Sequence, residues 1–326
     1  MITDTHGWEP GEPGAHRGGS TPQAPTLLHR RDGILPTTAA ALSVPGRGAL
    51  TATASRAGEA PVLHPVVREI FENLGTAQRE RHLGRCPEAA LLSRFLAEVE
   101  ADTLGAARHA LAEAGLTIRH IREDGDPQHG TFAPHCGSCA VLIARLGVPS
   151  TGSPVEPPAD SGPAAGAPWA VGTVEEVFAA AGWEPGRRHV AMAEEWADAL
   201  SAHRSPQGHP HSLFPAAFET WAELGSLILR PTGPGLHHAP STVVVDPLLG
   251  LHWARTLDDL GQALGTRLCP LGQELGGTAL ISLDQEGRLY CVDHTGDWYL
   301  GPDVISGLTT LLTGRSPQRL EAPEED

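Results

Sequence analysis

The sequence predicts two folded units of different class, an α/β unit over residues 34–148 and an α+β unit over residues 172–314. Three observations lead there. Before residue 149, strand-like and helix-like stretches are interleaved, whereas after residue 172 three helical stretches come first and short strands follow. Between the two, Pro149, Pro154, Pro157, Pro158, Pro163 and Pro168 stand among Gly, Ser and Ala, the composition of a semi-extended linker at 149–171. The length of 326 residues is also enough for two separate cores.

Residues 1–33 are rich in Gly, Pro and charge without periodicity and read as a disordered arm. Ile34 to Val44 and Leu50 to Ser55 read as strands on either side of the turn Pro45-Gly46-Arg47-Gly48. Val66, Val67, Ile70, Phe71 and Leu74 recur at helical spacing, which predicts a helix from Pro65 to Gln78. A second helix begins at Pro87 with Leu91, Leu92, Phe95 and Leu96 on one face, and a third spans Thr103 to Ala114. Thr117 to Ile121 alternates as a strand does, and Cys139 to Leu146 is helical up to Gly147. In the second unit the helices are Val174 to Ala181, Ala191 to Ala202 and Pro215 to Leu224. The strands are Leu227 to Arg230, Thr242 to Val245, Thr278 to Leu283 and Leu289 to Val292, the last two joined by the turn Asp284-Gln285-Glu286-Gly287. Residues 315–326 form an acidic tail.

The chemistry concentrates in two short runs, Arg85-Cys86-Pro87-Glu88 and Pro134-His135-Cys136-Gly137-Ser138-Cys139, each at the start of a helical stretch. Helix starts favour anions and so lower thiol pKa values. A strand between the two helices would bring both starts to one sheet edge. Three thiolates there can hold zinc with one position open, and a carboxylate two residues after a ligand can move protons beside it. A structural zinc closed by His82, His129 or His135 is the rival reading, and Glu88 discriminates, because a closed site has no use for it. Cys269 and Cys291 lack partner spacing and read as small core residues, the tryptophans of the second unit read as core, and Asp293-His294-Thr295-Gly296-Asp297 reads as a polar loop.

The first unit resembles the YwqJ-like branch of the deaminase superfamily, whose members are often bacterial toxins. The residues that carry the likeness are His64-Pro65, Gly84 to Glu88, Leu91-Leu92-Ser93, Ile121 to Gly125, His129-Gly130-Thr131 and Cys136 to Cys139. The likeness implies Cys86, Cys136 and Cys139 as zinc ligands, Glu88 as the catalytic acid and base, and a nucleobase-containing substrate. The Pro-rich run after Val148 leaves no place for the fourth and fifth strands of a full deaminase sheet, so a three-layer domain with a truncated sheet is expected. The second unit resembles the SUKH superfamily of immunity and protein-binding domains, in its third subgroup. That likeness rests on Ala181-Gly182-Trp183, Pro185 to Arg187, Phe214-Pro215, Glu223 to Gly225, Asp246-Pro247, Cys269 to Gly272 and Ile281 to Tyr290. It implies binding of a protein, either a toxin or the chain's own deaminase unit. Two functions follow as expectations: a zinc-dependent nucleobase deaminase gated by an immunity-type domain, or a non-catalytic binding protein with a remnant deaminase domain around a structural zinc.

Composition narrows the choice. All 23 basic residues are arginine, which excludes Schiff-base lysine chemistry and the P-loop. Residues 1–150 carry 16 acids and 14 arginines, residues 151–326 carry 23 acids and 9 arginines. The acidic second half would repel nucleic acid and attract a basic protein surface. Five cysteines do not make a disulfide framework and fit a reducing compartment. No stretch is apolar enough to span a membrane and no signal pattern opens the chain, so the expectation is cytoplasmic.

Overall fold

Each half of the chain builds its own antiparallel sheet. The computed structural model describes residues 24–31, 35–54, 61–149 and 173–323. The expected linker, apart from Pro149, and residues 1–23 of the expected arm lie outside the described residues.

In the first unit β1 (Thr38–Ser43) lies between β2 (Leu50–Thr53) and β3 (Gly115–His120). Four helices accompany them: α1 (Pro65–Glu72), α2 (Pro87–Glu98), α3 (Leu104–Ala110) and α4 (Gly137–Leu146). The stretch expected to be helical up to Gln78 stops at Asn73, whose side chain donates to Glu69 O at 2.7 Å. Gly75 is then extended before a 3-10 turn at Thr76–Gln78. Local side-chain bonding has replaced the next helical turn. α2 starts where it does because Cys86 is extended and Pro87 fills the first helical position, where its missing N–H costs nothing. Leu91, Leu92, Phe95 and Leu96 of α2 join Leu42, Leu116 and Leu142 in one buried cluster confined to this unit. α4 begins two residues before the expected Cys139 and ends on Gly147 at φ 69°, a left-handed position glycine adopts without strain.

The second unit opens with α5 (Val174–Ala180), α6 (Val190–Ala202) and α7 (Pro215–Leu224). Its sheet runs in the order β10-β9-β8-β7-β6-β5-β4. The strands are β4 (Ile228–Leu229), β5 (Val243–Val244), β6 (Leu268–Glu274), β7 (Ala279–Asp284), β8 (Leu289–Asp293), β9 (Gly296–Gly301) and β10 (Gln318–Arg319). α8 (Ala254–Leu264) and α9 (Val304–Leu312) complete the unit. Every residue of β6, β7 and β8 is buried, and alternation sends them to two faces. Ile281, Leu283 and Cys291 pack with α7 residues such as Trp221, whereas Leu280, Tyr290 and Val292 pack with Leu257 and Leu260 of α8.

Two expectations are corrected. Residues 24–31, read as part of a disordered arm, lie on the second unit. Leu27 is buried there and donates to Glu321 O, and Arg31 pairs with Asp259 at 2.8 Å and Asp297 at 2.5 Å. Two strong ion pairs and one apolar anchor outweigh the poor periodicity of the run. Within the stretch read as an acidic tail, Gln318 and Arg319 pair with β9 and Leu320 is buried. The polar run 293–297 is no open loop: it is the tight β8–β9 hairpin, and all five residues are buried.

The two units meet through charge and backbone. Arg81 of the first unit reaches Glu274 at 2.8 Å and Asp293 at 2.7 Å, with all three side chains buried. Arg122 donates to Gly277 O at 2.8 Å, and a Cβ on Gly277 would stand 2.8 Å from that guanidinium. Glu123 accepts from Thr256 N at 3.1 Å and from the Thr256 hydroxyl at the start of α8, where the helix dipole favours a carboxylate.

Candidate metal centre

α2 and α4 bring their first residues to one place. Cys86 is the residue preceding α2 and Cys136 the one preceding α4, and their sulfurs are 3.5 Å apart. That is far beyond a disulfide bond of about 2.05 Å but close to the roughly 3.8 Å between two sulfurs on one tetrahedral zinc. Cys136 Sγ also accepts from Cys139 N at 3.5 Å, as a capping side chain does. The donor atoms of His82, Cys86 and Cys136 lie within 4.8 Å of one another, and so do those of Cys86, Glu88 and Cys139. The four residues singled out from sequence therefore gather around Cys86, and His82 joins them.

The electrostatics follow from crowding thiols at two helix starts away from water. Hydrogen bonds from Cys139 and Cys86 outweigh burial and hold the Cys136 thiol well below its ordinary pKa, with His82 assisting. Cys86 and Cys139 are pushed up, Cys86 mainly by its hydrogen bond to Cys136 and Cys139 by its bonds to both other thiols. Burial would lower the His82 imidazole, but its hydrogen bond to Cys136 and the charges of Cys136, Glu80 and Asp293 push it up to about 9. Glu88 is buried, which raises its carboxyl pKa against the opposing hydrogen bond with His135 Nδ1 at 3.2 Å.

The three histidines that spacing could not rank are now separated. His82 is in the cluster, His135 holds Glu88, and His129 Nδ1 lies 3.1 Å from Arg122 N. Two further groups carry no sequence signal of their own. Glu80 accepts from Gly137 N at 3.1 Å at the start of α4, and burial raises its pKa. His294, from the second unit, stacks edge-on to His82 with ring centroids 4.7 Å apart, and its Nδ1 lies 3.2 Å from the Thr37 hydroxyl. A cleft of about 1370 Å³ runs between the units over this cluster, lined by His82, His135 and Cys136 on one side and by Glu274, Leu275 and Gly276 on the other. Cys269 is buried among apolar side chains as expected, whereas Cys291, also read as a lone core residue, lies 3.6 Å from an Arg81 nitrogen.

The donor types suit a soft divalent ion: two overlapping groups share the Cys86 sulfur, one adding His82 and Cys136 and the other Glu88 and Cys139, and both Cys86 and Cys136 stand at helix starts. The cluster can hold a metal ion. Thiols at two helix starts beside a buried carboxyl group are what a deaminase-like unit presents. In keeping with this, residues 25–148 match the YwqJ-like deaminase family, and residues 171–314 match the SUKH-3 immunity protein family. The chain joins a YwqJ-like deaminase domain to a SUKH-3 immunity domain, in that order. No curated protein and no solved structure matches it. Among the described residues no helix is long and apolar enough to cross a membrane.

Proposed function

We propose that the first domain is a toxin-like, zinc-dependent hydrolytic deaminase of a nucleobase and that the immunity domain restrains it by docking across its site. The observation that carries this reading is Glu88, a buried carboxyl group with its proton affinity raised, grouped with two thiols. Zinc held by Cys86, Cys136 and Cys139 would supply Lewis acidity that makes water a nucleophile near neutral pH. Glu88 accepts the proton of the attacking water and returns it to the departing amine, so that ammonia leaves and a carbonyl replaces it. His135 orients the Glu88 carboxyl group through their 3.2 Å contact. Arginines in the first half barely fail to balance its acids, which offers a long phosphate backbone little counter-charge and favours a small nucleobase compound.

A second reading has an observation of its own. His82 lies close enough to Cys86 and Cys136 to complete four ligands, as in a structural zinc site of a non-catalytic binding protein. Zinc analysis and ammonia release separate the two, measured on the whole chain, on a chain ending at residue 170 and on Glu88→Ala in each. Zinc near one per chain throughout, with ammonia released by the parent sequence and not by Glu88→Ala, supports the enzyme. A higher rate in the shortened chain supports restraint by the second domain, and an unchanged rate removes it. Zinc retained without turnover of any base, in the shortened chain as in the whole one, supports the structural reading.

A further inference from the structure

The segment from Arg79 to His82 is held from two sides at once. Towards its own domain, Glu80 N donates to the Ser138 hydroxyl at 2.9 Å and Glu80 Oε1 accepts from Gly137 N at 3.1 Å, both at the start of α4. Towards the immunity domain, Arg79 O accepts from Ala239 N at 2.8 Å, and Arg81 places its guanidinium between Glu274 and Asp293. His82, next along, meets the ring of His294 on one side and the sulfurs of Cys86 and Cys136 on the other. His294 Nε2 is buried without a hydrogen-bond partner, so this ring serves as a wall against His82 and not as part of a saturated polar network.

We propose that His82 is a fourth metal ligand and that the docked immunity domain, through Arg81 and His294, holds it there. This deepens the reading above and rests on the zinc centre it assigns. Three thiolates leave one position of a tetrahedral ion for water or substrate, and an imidazole in that position closes the shell. The domain then acts on the coordination of the metal and not only on access to it. The cleft between the domains shows why obstruction alone falls short, since it reaches Cys136 and His82 while the domains are docked. Withdrawing Glu274 and Asp293 would free Arg81, and with it the segment that delivers His82.

Cobalt in place of zinc in the full-length chain reads the shell without any turnover. His82→Ala should weaken zinc by roughly tenfold or more in competition with a chromophoric chelator. His82→Cys should restore the affinity and add a fourth thiolate-to-cobalt charge-transfer contribution, a gain that requires a folded chain and a side chain at this position inside the shell. Azide should leave the parent cobalt spectrum unchanged and shift that of Arg81→Met. Parent-like affinity in His82→Ala with a parent-like His82→Cys spectrum overturns the fourth ligand and leaves the thiolate centre standing. An Arg81→Met chain as blind to azide as the parent overturns the role of the immunity domain. A parent chain that takes up neither zinc nor cobalt overturns the centre itself and this inference with it.

Discussion

Asp284 in the immunity domain and Glu88 in the deaminase domain are both buried carboxyl groups, and they are buried in opposite ways. Asp284 accepts from Glu286 N at 3.1 Å, Arg288 N at 2.9 Å, Arg288 Nε at 2.6 Å and Tyr290 OH at 2.9 Å. Four donors compensate the lost water and lock the β7–β8 hairpin, the arrangement expected of a carboxylate with a structural task. Glu88 has a 3.2 Å contact with His135, and burial raises its pKa. Its carboxyl group therefore holds a proton more readily than an ordinary glutamate does, and its neighbours are thiols. The same contrast separates the cysteines: Cys269 sits among Leu, Ile and Trp side chains, while Cys86, Cys136 and Cys139 share donors with one another.

The largest effect expected from this contrast is on the metal. Cys136→Ser should abolish zinc binding and, because binding energy at such a site is folding energy, lower the thermal midpoint of the deaminase domain. Cys269→Ser should leave zinc untouched. Next is the joint between the domains: Arg81→Met leaves Glu274 and Asp293 buried with no cation between them, a loss of about 3–5 kcal/mol, seen as separation of one melting transition into two. A single unchanged transition would count against coupling through Arg81. Smaller again, Asp284→Asn should cost the immunity domain roughly 1–3 kcal/mol, while Glu88→Gln, which removes a charge that burial opposes, should leave stability equal or higher as it abolishes ammonia release. Equal losses in both variants would erase the distinction between the two carboxyl groups. The smallest effect is that of acid. Burial would raise Asp293, but Arg81, then His294 and His82, hold it well below its ordinary range. A depressed carboxylate stabilises above its unfolded pKa of about 3.9 and loses that contribution as pH falls towards its folded value. The joint should loosen in acid below pH about 4, and Asp293→Asn should flatten that part of the titration.

What the sequence reveals and what it hides follow from how local each cause is. The starts of α2 and α4 were legible because Pro87 and the Cys136 cap act within a few residues. β6 was hidden because Pro270 and Gly272 interrupt it; the strand absorbs them with a register shift, and Pro270 O accepts from Trp221 Nε1. β9 was hidden because its polar beginning, Gly296-Asp297, is buried by contacts with Asp293, Arg31 and Arg319 rather than by apolar side chains. α8, with Leu257, Leu260 and Ala263 on its buried face, carries a helical period legible in the sequence itself. In the site, the spacing of Cys86, Glu88, Cys136 and Cys139 was readable. The choice of His82 over His129 and His135 was not, since it depends on where Arg81 finds Glu274 and Asp293, residues about two hundred positions away. Residues 121–123, which carried part of the family likeness, prove to lie at the joint between the domains, where Arg122 and Glu123 find partners in the second half.

Zinc K-edge absorption on the purified full-length chain tests the central claim most directly. Three sulfurs and one lighter atom around a single zinc per chain are the result expected from Cys86, Cys136 and Cys139 as ligands. A chain that carries no zinc from zinc-replete medium, or a shell of nitrogen and oxygen alone, would contradict it.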